Sequence, residues 1–149
     1  MLFKELDFTD RFGRAAEAGF AAVEFWWPSG EDLGGVEAAV KEAALQVTLF
    51  NFDAGDMPAG DRGLLSDPER HQEFRDNVPV ALELARSLEC PRLNALVGLE
   101  IEGVDTAEQL ELAADNVGWA ADQAAEHGIE VMIEAVNTFE NGPYLLPTT

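Results

Sequence analysis

Ala21-Ala22-Val23-Glu24-Phe25-Trp26-Trp27, closed by Pro28-Ser29-Gly30, is dense in β-formers and reads as a buried strand with a carboxylate at its middle. Three further stretches share this form: Val47-Thr48-Leu49-Phe50-Asn51-Phe52, then Arg92-Leu93-Asn94-Ala95-Leu96-Val97 ended by Gly98, and finally Glu130-Val131-Met132-Ile133-Glu134. Each carries polar character on one parity: Glu24 with Ala22 and Trp26, Asn51 with Leu49, Asn94 with Leu96, Glu134 with Met132. Successive strand side chains point to opposite faces, so each set belongs to one face of a sheet.

Helical stripes separate these strands. Phe8, Phe12 and Ala15 form a short amphipathic run stopped by Gly19, and Val36, Val40 and Ala43 form a second. A long loop rich in Gly and Asp, Asp53 to Ser66, follows the second strand, and a loop of that length in a compact domain tends to be functional. The third helix is predicted to start near Ser66-Asp67-Pro68, with the stripe Phe74, Val78, Ala81, Leu82 and Ala85. Pro79 lies inside that run and predicts a kink or break near Asn77. For the fourth, Thr106-Ala107-Glu108-Gln109 fits a capping box, Leu110, Ala113, Val117, Ala121 and Ala124 make the stripe, and His127-Gly128 close it. An irregular tail is expected from Asn137 to Thr149.

Helix then strand, four times over, implies an α/β fold with parallel strands and right-handed crossovers. A doubly wound sheet and a (β/α) barrel both have that order. No glycine-rich phosphate fingerprint follows the first strand, as a dinucleotide-binding sheet would usually show. In a barrel, the shared polar parity points inward and sets Glu24, Asn51 and Glu134 near the carboxyl ends of the strands, where barrel sites lie.

Composition narrows the function classes. The chain has 149 residues, 47% apolar and 26% charged, with 9 Lys and Arg against 29 Asp and Glu, for a net charge of −20. One domain with a real core is expected. No apolar run is long enough for a membrane span, and no secretory signal pattern opens the sequence, so the expected compartment is the cytoplasm. The charge repels phosphate backbones and anionic lipid, which argues against nucleic-acid and membrane partners. Cys90 is the one cysteine, which excludes an internal disulfide and a cysteine-cluster metal site.

Glu134 is the sharpest candidate. A carboxylate closing a buried strand must be solvated, paired or metal-bound, and the loop Asn137-Thr138-Phe139-Glu140-Asn141-Gly142-Pro143 supplies polar groups beside it. Glu24 is a structural carboxylate or a substrate contact. Asn51 and Asn94 orient a hydroxylated ligand or fill a polar interior. Arg62, in the long loop, is a bidentate clamp for a carboxylate or a solvated counter-charge. His71 and His127 show no ligand spacing; His71 is expected on an exposed helical face and His127 beside the last carbonyls of its helix. Cys90 reads as packing, and Trp26-Trp27 as a pocket wall or core.

Several of these stretches together carry a family pattern. Ala18-Gly19-Phe20 with Ala22-Val23-Glu24-Phe25, then Leu49-Phe50-Asn51 leading into Gly55-Asp56-Met57-Pro58-Ala59-Gly60-Asp61-Arg62-Gly63-Leu64, resembles hydroxypyruvate isomerase. So do Leu93-Asn94-Ala95-Leu96-Val97-Gly98, Ile133-Glu134-Ala135-Val136-Asn137-Thr138 and Gly142-Pro143-Tyr144-Leu145-Leu146. These enzymes are xylose-isomerase-like (β/α)8 TIM barrels. The resemblance implies that Glu134 is one of two catalytic glutamates and a ligand of a divalent metal ion, magnesium or manganese. Glu24, Asn51, Arg62 and Asn94 are the candidate substrate contacts beside it, and the resemblance implies an aldose–ketose isomerase converting hydroxypyruvate to tartronate semialdehyde.

A full barrel needs roughly 250 residues, so residues 1–149 are expected to be a single truncated domain, a partial TIM barrel of about strands 2 to 5 with their helices. Met1-Leu2-Phe3 would correspond to the end of the first strand. The second glutamate and the other metal ligands would lie on strands outside this sequence, so the chain alone is expected to lack turnover. Alternatives are an isomerase or epimerase of a larger 2-oxo acid or keto sugar, and a non-catalytic remnant whose open barrel edges drive self-association. A metal-dependent endonuclease is disfavoured by the charge and by the lack of histidines at strand ends.

Overall fold

The computed structural model describes residues 2–148, apart from the side chains of residues 140 and 141. In chain order the elements are α1 (Asp10–Glu17), β1 (Ala22–Phe25), α2 (Leu33–Glu42), β2 (Gln46–Asn51), α3 (His71–Ser87), β3 (Arg92–Ala95), α4 (Thr106–Ala125), β4 (Glu130–Ile133) and a short α5 (Thr138–Asn141). The strands form one parallel sheet in the order β1-β2-β3-β4. Each of the first four helices packs against the next, so they lie side by side on one face. The strand order never reverses. That sequence of neighbours is singly wound, as in a barrel wall, and has no switch point of the doubly wound kind.

The helix-covered face holds the core. Phe25 stacks on Phe50 with ring centroids 5.3 Å apart, and Phe8 and Phe12 meet Phe25 edge-on. Val47, Leu93 and Ala95 are fully enclosed on this side. A bulge sets the alternation of β2: Val23 pairs with Val47 but Glu24 pairs with Leu49, so Thr48 is the extra residue. Val47 and Phe50, three apart, thereby share the buried face, and the Thr48 hydroxyl donates to the Val23 carbonyl at 3.3 Å.

Several local expectations are corrected. The strands are shorter than predicted: β1 stops before Trp26, β3 before Leu96 and β4 before Glu134, while Leu2 and Phe3 belong to no strand and Met1 lies outside the described residues. Helix α3 begins at His71; Ser66-Asp67-Pro68 instead opens a turn in which Asp67 Oδ1 accepts from the amides of Glu69 and Arg70. The helix is continuous through Pro79, because Pro79 is exposed and the carbonyl it leaves unbonded can be hydrated. Asp105, not Thr106, caps α4, accepting from Ala107 and Glu108. The buried stripe of α4 is Gln109, Ala113, Asn116, Ala120 and Ala124, which leaves Leu110 exposed and Val117 and Ala121 half-buried. The helix is rotated by about a residue because Gln109 and Asn116 bond inward. Part of the expected irregular tail forms α5.

Those inward bonds belong to a network that ties the loops after β2, β3 and β4 together. Gln109 Nε2 donates to the carbonyls of Ser66 and Leu99, and its Oε1 accepts from Ile101 N. Asn116 Nδ2 donates to the Leu65 carbonyl, and its Oδ1 accepts from Arg75. The Tyr144 hydroxyl accepts from Val97 N at 2.7 Å inside the protein. Gly63 has φ +123°, and a Cβ there would sit 2.1 Å from the Leu96 carbonyl oxygen.

Gly63→Ala is therefore expected to cost about 3 kcal/mol or more, from backbone overlap and a strained φ, read as a lower urea midpoint at unchanged m-value. Tyr144→Phe leaves the Val97 amide unpaired and is expected to cost roughly 1–3 kcal/mol in the same measurement, with the larger loss of exchange protection in the loop after β3.

Candidate active site

Alternation forces the polar parity onto the face opposite the helices. Burying Phe50 and Leu93 on one side leaves Glu24, Leu49, Asn51, Asn94, Met132 and Glu134 on the other, where they line part of a hollow of about 930 Å³ that also runs past the β1 edge to Phe8, Arg11, Phe12 and Phe25. Register sets their order: Glu24 is opposite Leu49, Asn51 is opposite Asn94, and Asn94 is opposite Met132. Glu134 lies just beyond β4, two residues past Met132, at the carboxyl end of the sheet.

Three of the expected residues form one hydrogen-bonded row. Asn94 Nδ2 donates to Glu134 Oε2 at 3.1 Å and lies 3.5 Å from Asn51 Oδ1. Asn51 and Asn94 are both 5% exposed, whereas Glu134 is exposed. The two amides thus form a buried base that holds one carboxylate oxygen and leaves the carboxylate at the surface of the hollow. Its strand differs from expectation: β4 is an edge strand, with Met132 and Ile133 exposed, so Glu134 is solvated and hydrogen-bonded rather than enclosed. Burial pushes the Tyr144 phenol above its ordinary value, and the negative charge of Glu134 adds to that rise.

Glu24 shares the hollow and is exposed. Arg62 does not line it; its Nη1 donates to the carbonyls of Met57 and Asp61 within its own loop, at 3.1 and 2.7 Å. That loop is braced by Arg70, whose guanidinium bonds Glu73 and Asp61 and is held more firmly charged by them. Asp56 N donates to Asp61 Oδ2 at 2.7 Å. Arg11 is the cationic group lining the hollow among the described residues, and no spacing or motif pointed to it. Trp26 lines the hollow and Trp27 packs on Phe50.

Other candidates fall elsewhere. The Cys90 thiol is buried, donates to the Arg92 carbonyl at 3.2 Å and is pushed up by burial, which suits packing and not nucleophilic attack. His71 opens α3 half-buried, and its Nδ1 is enclosed without a hydrogen-bond partner among the described residues, in place of the exposed position expected. Asn137 Oδ1 accepts from Phe139 N at the start of α5, while the side chains of Glu140 and Asn141 lie outside the described residues.

A hard divalent cation takes about six oxygen donors. The Glu134 carboxylate and the Asn51 amide oxygen are donors of that type, but no group of three His, Cys, Asp or Glu able to hold an ion occurs among the described residues. The described residues therefore do not by themselves assemble a metal site around Glu134. No helix among the described residues is long and apolar enough to cross a membrane.

The sequence profile of a family described as xylose isomerase-like TIM barrel matches residues 12–145. The chain is 37% identical to hydroxypyruvate isomerase of Escherichia coli K12, over 94% of this chain and 54% of that protein. It is 35% identical to 2-oxo-tetronate isomerase of Haemophilus influenzae, over 98% of this chain and 57% of that protein. A crystal structure described as AP endonuclease, family 2, from Brucella melitensis superposes with a TM-score of 0.87 at 42% identity, covering 97% of this chain and 55% of that one. The chain spans about half the length of the curated relatives it matches. Its singly wound parallel sheet, its helices on one face and this profile agree: the chain belongs to the xylose isomerase-like TIM barrel family, as a partial α/β barrel.

Proposed function

We propose that this chain carries one half of the active site of an aldose–ketose isomerase acting on a small hydroxy-oxo acid, with Glu134 as the group that moves the proton. The observation that carries this reading is the row Asn51–Asn94–Glu134 on the wall of a hollow otherwise lined mainly by apolar side chains. Asn94, itself seated against Asn51, fixes the carboxylate by Oε2, and the other oxygen is left for substrate. The similarity to hydroxypyruvate isomerase and 2-oxo-tetronate isomerase supports the same reaction class.

For hydroxypyruvate the chemistry balances as follows. A carboxylate takes a proton from the hydroxymethyl carbon to give an enediolate, and a proton returned to the neighbouring carbon gives tartronate semialdehyde, the hydroxyl proton passing to the former carbonyl oxygen. A bound magnesium or manganese ion would polarise those two adjacent oxygens, and Glu134 is the ligand this chain would give it. Arg11 supplies positive charge near an anionic substrate in a protein of charge −20. A four-carbon 2-oxo acid is the second reading, favoured by the near-equal identity to 2-oxo-tetronate isomerase. Action on a nucleic acid is disfavoured by the charge.

Among the described residues Glu134 is the one carboxylate tied to the Asn row, and no group of three ligands surrounds it, so these 149 residues are expected to hold Mn2+ weakly and to give no turnover. Glu134→Gln should weaken Mn2+ binding, followed by its electron paramagnetic resonance signal, by more than about tenfold, and Asn94→Leu should have a smaller effect in the same direction. Mn2+ binding indifferent to Glu134→Gln, or brisk isomerisation of hydroxypyruvate by that variant, would contradict the reading.

A further inference from the structure

Pairing of β3 with β4 runs from Arg92 with Glu130 to Ala95 with Ile133 and stops there. Glu134 is the next residue, so the ladder that sets Asn94 opposite Met132 does not itself fix the backbone of the carboxylate that Asn94 holds. Another segment takes over beyond the ladder. The chain leaves β4, turns through α5 and comes back as residues 142–146. The returning segment lies antiparallel to the loop after β3: Leu99 is bridged to Tyr144, Glu100 N donates to the Pro143 carbonyl at 2.8 Å, and Leu145 N donates to the Gly98 carbonyl at 3.0 Å. At its far end it meets the chain just past Glu134, where Val136 N donates to the Leu146 carbonyl at 3.2 Å. Residues 142–146 are therefore a strap that cross-links the carboxyl ends of β3 and β4.

Tyr144 anchors this strap. Gly142, Pro143, Leu145 and Leu146 have no polar side-chain atom, so the rest of the strap can bond through its backbone alone. The Tyr144 ring is buried, and its hydroxyl accepts from Val97 N at 2.7 Å. Val97 is three residues past Asn94, and Val136 is two past Glu134. One strap, through Tyr144 and Leu146, thus grips both stretches of chain that carry the Asn94–Glu134 hydrogen bond. After burial, the charge of Glu134 contributes to the rise of the Tyr144 phenol, so the two groups are neighbours through space. Tyr144 does not line the hollow, which rules out a direct touch on a substrate held there.

We propose that Tyr144 is a positioning residue for Glu134: its hydroxyl seats the strap on the end of β3, and the strap holds Glu134 at the height where Asn94 bonds one carboxylate oxygen. The consequence for proton transfer rests on the isomerase reading, since a reacting group misplaced by about 1 Å can lose roughly a hundredfold in rate. The placement itself does not rest on it.

The test is the Asn94 side-chain amide resonance at neutral pH, followed by nitrogen–proton correlation spectroscopy in the native chain, Tyr144→Phe and Glu134→Gln. Tyr144→Phe is expected to move that resonance more than half of the way to its position in Glu134→Gln, while the backbone amides of β1 and β2 stay in place. Val40→Ala, which opens a cavity at a buried position of α2, lowers stability without touching the strap and should leave the Asn94 amide unmoved. A tyrosine that only stabilises the fold would lower the urea midpoint and leave the Asn94 amide in place, or move it no further than Val40→Ala does; either result overturns the proposal. If Tyr144→Phe fails to fold, 3-fluorotyrosine at this single tyrosine decides: its fluorine resonance should move on Asn94→Leu, and a resonance indifferent to that change overturns the proposal. An unmoved Asn94 amide, with Mn2+ binding that still falls on Glu134→Gln, removes the positioning role and leaves the isomerase reading standing. A displaced amide, with Mn2+ binding indifferent to Glu134→Gln, does the reverse.

Discussion

Strand alternation under four packed helices is the constraint on which the rest of the molecule depends. A parallel sheet is ordinarily covered on both faces, and here the helices seal Val47, Phe50, Leu93 and Ala95 on one of them. Once those side chains are committed, Asn51, Asn94 and Glu134 have only the other face. The Thr48 bulge matters for the same reason. Without the extra residue in β2, Val47 and Phe50 would fall on opposite faces, and one of them would occupy the wall where the polar row now stands.

A second requirement is that the loops after the strands be held at fixed height. Loops at the carboxyl end of a barrel sheet carry function because a rigid scaffold presents them. In this chain the presentation comes from buried polar groups: Gln109 clamps the segments after β2 and β3, Asn116 holds Leu65, and Tyr144 reaches Val97 from the segment after β4. Gly63 lets the backbones of the first two loops meet. The Arg70 guanidinium, shared between Glu73 and Asp61, braces the long acidic loop from the start of α3. Glu134 thus stands between a rigid rim and a rigid amide base.

Much of this was legible from residue type and spacing. The four strands, the parity of Glu24, Asn51, Asn94 and Glu134, and the parallel order followed from alternation and from the helix–strand repeat. What escaped the sequence was decided by distant partners. Apolar spacing puts the α4 stripe on Leu110, Ala113 and Val117, whereas Gln109 and Asn116 bury because they bond carbonyls of other segments. Pro79 gave a strong local signal for a break, yet the helix continues because the lost hydrogen bond is on its exposed side. The placement of Arg62 is likewise set by its fold: Nη1 donates to the carbonyls of Met57 and Asp61 in its own loop. Arg11 gave no local signal, because its position at the hollow is set by the packing of α1 against the sheet.

The central claim is that Glu134 is held by Asn94, itself seated on Asn51, so the two amide protons of Asn94 should report on that carboxylate directly. The measurement is an acid titration of the Asn94 side-chain amide by nitrogen–proton correlation spectroscopy, in the native chain and in Glu134→Gln. The account predicts that the Asn94 resonance moves with protonation of a single carboxyl and that this movement is absent from the glutamine variant. An Asn94 amide that is indifferent to pH, or that moves equally in both proteins, would contradict it.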